Sequence, residues 1–144
     1  MSDRDLLKIP ADGSVLHKVR AKVRDLAGRL GADPKVCDNL ALVVDELVNN
    51  AIEHGAVYRK TSQDLAVRIA LDNEDFLIEF FDPEMPLEQV KDLSEVLTAT
   101  ANGMPALESE RGRGLFLLTV YLEDLQAEVA SQGGLRLFGK ILTK

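Results

Sequence analysis

One cysteine and two histidines leave this chain short of several chemistries. Cys37 has no partner for an internal disulfide, which fits a reducing cytoplasm, and its solitude excludes cysteine-rich zinc sites. His17 and His54 fall on separate predicted helices, too few for a histidine-built metal centre. No apolar run approaches the length of a membrane span, and Met1–Lys8 lacks the pattern of a signal peptide. Positive charge is also in deficit. Lys and Arg number 17 against 24 Asp and Glu, for a formal net charge of -7, which argues against unspecific nucleic-acid binding and leaves a small acidic ligand open. A Walker-type lysine loop, a dinucleotide fingerprint after a first strand and a serine elbow are all missing.

What is present suits one soluble globular domain over residues 1–144, with 46% hydrophobic and 28% charged residues. Leu6 to Pro10 predicts a short edge strand ended by Pro10. A helix follows, capped by Asp12 or Ser14, with Val15, Leu16, Val19, Val23, Leu26, Ala27 and Leu30 on one face and Gly31 at its end. Asp33-Pro34 predicts the cap and first turn of a second helix, which buries Cys37, Leu40, Ala41, Val44, Leu47, Val48 and Ala51 and closes at Gly55. The period then changes to two. Leu65 to Leu71 and Phe76 to Phe81 predict strands joined by the turn Asp72–Asp75. Glu84 to Arg111 reads as a long loop with one or two helical turns near Leu87 to Leu97, a length that is usually functional or mobile. Leu115 to Leu122 predicts a helix, and Leu125–Ala130 with Leu135–Leu142 a closing hairpin around Gly133-Gly134. This order predicts an α+β fold, a two-layer sandwich with helices on one sheet face.

Three places carry chemistry. Glu46, Asn50 and His54 are four apart on the second helix, and each four-residue step turns about 40° past a full circle, so the three side chains climb one stripe. Glu46 alone also fits a solvated face, and His54 a helix-end histidine near terminal carbonyls. Asn49-Asn50 is harder to account for, because asparagine is a poor mid-helix residue. A carboxylate, an amide and an imidazole beside an apolar face suit a nucleotide. The second place is Phe80-Phe-Asp82-Pro-Glu-Met85-Pro86 at a strand end. Asp82 fits either a turn that bonds a nearby amide or an acceptor aimed at a purine amino group. The third is Arg111-Gly112-Arg113-Gly114-Leu115, where two glycines at a helix mouth admit close backbone approach and free amides face an anion. An ordinary loop-to-helix junction explains that pattern equally well. Asp45 and Glu46 point to different sides of the helix, so they form no acid/base pair.

Together, in this order, the three places resemble the GHKL superfamily of ATP-binding domains, which includes gyrase, the heat-shock chaperone, histidine kinases and MutL. Glu46-Leu-Val-Asn-Asn50-Ala-Ile-Glu-His54 resembles the N-box, Asp82-Pro-Glu-Met85-Pro86 the G1 box, and Gly112-Arg-Gly114-Leu115-Phe-Leu the G2 box. The two starting helices and the Asn-Ala-x-x-His-Gly ending are similar to one branch, the anti-sigma-factor serine kinases of bacterial partner switching (RsbW and SpoIIAB type). The resemblance implies the Bergerat type of sandwich, with a mixed, mostly antiparallel sheet and an ATP lid over about 87–111. It implies an ATP-dependent serine/threonine kinase acting on a STAS-type antagonist, a sigma factor or equivalent regulator as second partner, and a homodimer formed through the N-terminal helices and first strand. By the same resemblance Asn50 holds Mg²⁺, Glu46 is the general base, Asp82 accepts from the adenine amine, and the Gly112, Arg113 and Gly114 amides cradle the phosphates. His54, Met85, Arg111 and Leu115 complete the expected ATP contacts. One position departs from the pattern, because Glu84 stands where the G1 box has glycine. Its side chain either turns outward and spares binding or weakens nucleotide affinity. The second outcome would leave a non-catalytic binding module. A detached ATP domain of a histidine kinase is disfavoured, since Lys18 rather than an acidic residue follows His17.

Overall fold

The computed structural model describes residues 6–12, 14, 16–61, 63–101 and 118–141. The chain starts in a four-residue edge strand, β1 (Leu6–Ile9), and then enters α1 (Leu16–Arg29). Asp12 accepts from the Ser14 amide at 2.9 Å just before that helix. Val19, Val23 and Ala27 are the buried face of α1. Beyond it Asp33 is extended, and its side chain accepts from the Val36 amide at 2.9 Å with proline next in the chain. That cap opens α2 (Pro34–Gly55), as the Asp33-Pro34 pair predicts. Salt bridges of 3.0 Å from Arg20 to Asp45 and from Arg24 to Asp38 join the two helices on their outer side, and pairs this exposed set orientation more than stability. Cys37 is buried between them and acts as a small apolar residue, with burial pushing its thiol pKa up.

The strands β2 (Leu65–Asp72), β3 (Asp75–Asp82), β4 (Leu122–Val129) and β5 (Leu135–Ile141) join β1 in a sheet of order β1-β2-β3-β5-β4. Every pairing is antiparallel, where a mixed, mostly antiparallel sheet was the expectation. Alternation sends Val67, Ile69, Ile78, Phe80, Leu137 and Ile141 to the helix side, where they form one core with α2. On the other side Glu79 accepts from Arg68 and from Arg136 Nε at 2.7 Å, and Arg136 also reaches Glu128 at 2.6 Å. The β4–β5 turn carries Gly134 at φ +81°, pressed against the end of β3. A Cβ there would lie 2.5 Å from the Asp82 carbonyl, so the close approach admits only glycine.

The largest departure from the sequence-based expectation lies after β3. Instead of a loop with one or two short turns, Leu87–Ala101 is a continuous helix, α3. Val90, Leu93 and Leu97 recur at helical spacing and are buried, and Pro86 lies just outside the helix, where a missing amide costs nothing. Burying three such side chains favours the helix by roughly 1.5–3 kcal/mol each, enough to override a polar composition. The lid expected over 87–111 therefore begins as helix, packed toward β4, and its remainder lies outside the described residues. Of the helix expected over Leu115–Leu122, residues 118–121 are described and helical, while Leu122 already belongs to β4. None of the described helices is long and apolar enough to cross a membrane.

Candidate functional site

The stripe on α2 lies where its spacing puts it. Glu46, Asn50 and His54 are each half-buried, at the border between the core and the polar face. Asn50 and His54 reach the wall of a cavity of about 30 Å³ that Met85 from the turn after β3, Leu93 of α3 and Leu118 also line. The Asn50 amide nitrogen is buried there with no hydrogen-bond partner among the described residues. An unpaired buried amide is costly, so it marks a place where a polar ligand group would be welcome. Glu46 lies one turn earlier, outside the cavity wall. Of the predicted ligand contacts, Asn50, His54 and Met85 thus meet in one place, while Arg111, Gly112, Arg113, Gly114 and Leu115 lie outside the described residues.

Asp82 ends β3 on the core face and is completely buried, the one charged side chain so placed among the described residues. Four donors fill its carboxylate. Arg59 Nη1 donates to Oδ1 at 3.0 Å and Nη2 to Oδ2 at 2.8 Å, Tyr58 donates its hydroxyl to Oδ2 at 2.7 Å, and the Glu84 amide donates to Oδ1 at 3.2 Å. The turn contact, one of the two readings of Asp82, is present as the Glu84 amide bond, and the acceptor positions that a purine amine would use are filled by the chain's own arginine and tyrosine. The hydrogen bonds to Asp82 outweigh burial and hold the Arg59 guanidinium above its usual pKa range.

Of the two courses open to Glu84 from the sequence, the outward turn is the one its side chain takes. It turns away from the cavity, and its carboxylate accepts from the backbone amides of Lys60, Thr61 and Gln63 at 2.8–3.1 Å and from the Thr61 hydroxyl at 2.8 Å. Arg59 Nη1 adds a contact at 3.3 Å, and only 6% of the Glu84 side chain is exposed. The Thr61 amide first, with the other donors, lowers its pKa from 4.5 to about 2. A depressed carboxyl stabilises the fold above its unfolded pKa and loses that contribution as pH falls through the folded value. Glu84→Gln is thus expected to melt below wild type at pH 7, with the gap closing between pH 4.5 and about 2. Thermal melts across that range test this, and a gap unchanged by pH would mean the charge is not what holds the segment.

Sequence reasoning missed Tyr58 and Arg59. The available signal was indirect, since a glutamate where the G1 box has glycine asks for a nearby cation. It also missed Leu93 and Leu118 as cavity walls, because the first was placed in a loop. As ligands for the expected groups, the residues fit unevenly. Among the described residues no three His, Cys, Asp or Glu side chains gather to hold a metal unaided, which leaves Asn50 as a single amide ligand that phosphate and water would have to complement. Asp82 does not fit a base amine while Arg59 holds it, and the cavity has room for a water or two rather than a purine.

The histidine kinase-like ATPase domain model matches residues 9–137. A chain in the crystal structure of the SiaB–SiaC complex from Pseudomonas aeruginosa superposes with a TM-score of 0.72 over 94% of this chain and 88% of that one, at 16% sequence identity, and so shares the fold. No curated protein sequence matches the chain significantly. The family match runs from the end of β1 into β5 and takes in both the α2 stripe and the end of β3, and the chain belongs to the histidine kinase-like ATPase domain family.

Proposed function

We propose that the chain is an ATP-dependent serine/threonine protein kinase that doubles as an anti-sigma factor of a bacterial partner-switching system. One observation carries this reading: the unpaired Asn50 amide faces the same cavity as His54 and Met85, one helical turn after a half-buried glutamate. ATP, with Mg²⁺, supplies the transferable phosphoryl group. Asn50 would hold the metal, and the amides of Gly112, Arg113 and Gly114 would hold the phosphates, with Arg111 and Leu115 beside them. In the transfer, a serine or threonine oxygen of the substrate bonds to the γ-phosphorus, the bond to the bridging oxygen breaks, and Glu46 takes the hydroxyl proton as ADP leaves. Such a reaction depends mainly on alignment and charge neutralisation, which a rigid helix stripe serves.

The substrate in this reading is a small STAS-type antagonist, and the second partner is a sigma factor or an equivalent regulator. A structural relative solved as a complex of two proteins supports a role exercised on a partner. The exposed edge of β1 and the N-terminal helices are the surfaces a homodimer would use, and the cytoplasm is the compartment that a single cysteine fits. The test is incubation with labelled ATP, Mg²⁺ and the cognate antagonist, with label expected on an antagonist serine or threonine. Nucleotide binding without label would favour a second reading, a non-catalytic module that regulates a partner. The occupied Asp82 carboxylate is the observation on that side.

A further inference from the structure

We propose that Arg59 is a built-in latch: it occupies the carboxylate that would recognise the base, so the chain closes its own nucleotide pocket until the segment between α2 and β2 withdraws. The inference rests on the nucleotide reading of the cavity and adds its regulation. A carboxylate has about four acceptor positions, and donors fill all four on Asp82, two of them from Arg59. A purine amine can therefore enter only by displacing a donor. The Tyr58 hydroxyl and the Glu84 amide sit on the same carboxylate, but only the guanidinium spans both oxygens as a fork, which makes it the main obstacle.

Three details mark a device shaped around Arg59. Its Nη2 also donates to the Ala51 carbonyl at 3.1 Å, so it lies across the last turn of α2. Gly55 makes that possible, because a Cβ there would fall 2.3 Å from Nη2. Glu84, in place of a bare glycine, gives the cation a second carboxylate and ties the amides of Lys60, Thr61 and Gln63 to the end of β3. Tyr58, Arg59 and those amides belong to one short segment, so release of the segment removes three of the four donors on Asp82 in a single motion. The latch is also imperfect. Arg59 Nε is buried without a hydrogen-bond partner among the described residues, and it would regain water on opening. A merely structural clasp would have no bearing on nucleotide affinity, and this one does, because a ligand's apparent affinity falls with the population of the competent state. An open state populated at about 1–10% weakens binding about 10- to 100-fold.

Calorimetric titration with Mg-ADP and Mg-GDP decides the matter, on wild type, Arg59→Ala/Glu84→Gly and Gly55→Ala. The double variant removes the latch and its second anchor together, and Gly55→Ala pushes the guanidinium off without deleting a charge, so either serves if the other fails to fold. Both opened variants are expected to bind Mg-ADP at least about tenfold tighter than wild type and to prefer it over Mg-GDP. Wild type binding Mg-ADP as tightly as the opened variants would overturn the latch and leave the nucleotide site standing. Weaker binding by the opened variants would make Arg59 a ligand contact and overturn it too. No binding by any protein would overturn the nucleotide site, and the latch with it.

Discussion

Glu46→Ala is expected to bind Mg-ADP as the parent protein does and to transfer phosphate about 100- to 10,000-fold more slowly, the range a positioned general base supplies. Asn50→Ala is expected to do the opposite and lose Mg-nucleotide binding outright. The pair separates two roles on one helix because the residues are a single turn apart and only Asn50 lines the cavity. Asn50 is also a clean site for substitution. Its amide nitrogen makes no hydrogen bond among the described residues, so its removal strips none from that atom, and a loss of binding is not confused with a loss of structure. Titration with Mg-ADP and label transfer from ATP are the two measurements, made in wild type or in Gly55→Ala, whichever binds measurably. Equal binding by the parent and Asn50→Ala would remove the metal role. A loss of binding in Glu46→Ala would make Glu46 a ligand contact rather than a base.

The second large effect is on stability. Asp82→Ala leaves the Arg59 guanidinium, 8% exposed, without its closest counter-ion. Breaking a buried pair from one side destabilises by about 3–5 kcal/mol. The low end applies here, because Glu84 remains 3.3 Å from Nη1. That corresponds to a fall in Tm of about 10 °C for a domain of this size. Adding Arg59→Ala should return part of the loss, since the stranded cation is then gone, and a double-mutant cycle by urea denaturation measures the coupling. Additive losses would mean that Asp82 and Arg59 do not stabilise as a pair. The consequence for function is practical: inactivity of Asp82→Ala reports on base recognition only after its folding has been measured.

The fold was readable wherever one period ran uninterrupted. The cap at Asp33-Pro34, the α2 face from Cys37 to Ala51 and the alternation from Leu65 to Phe81 each carry a local signal that tertiary packing reinforces. The helix Leu87–Ala101 was not readable, because its described apolar side is narrow, with Val90, Leu93 and Leu97 buried and Val96 partly so, and the gain that stabilises it comes from contacts with a distant part of the chain. The same distinction holds in the site. Asn50 and His54 share a wall with Met85 because helix geometry dictates their stripe and the turn that follows β3 carries Met85 back toward it, its amide bonded to the Asp82 carbonyl. The Arg59–Asp82–Glu84 arrangement was hidden for the opposite reason. It joins residues more than twenty positions apart through side-chain rotamers, which no spacing rule encodes.

The charged face of the sheet bears on how the chain finds its topology. β5 must locate β3 across 57 residues of sequence, the kind of long-range pairing that slows folding. A slip of one residue would turn Arg136 and Phe138 inward and pull a guanidinium off Glu79. Glu79, bracketed by Arg68 from one neighbour and Arg136 from the other, thus works as an alignment mark: β5 gains its full complement of ion pairs only when it docks in the native frame.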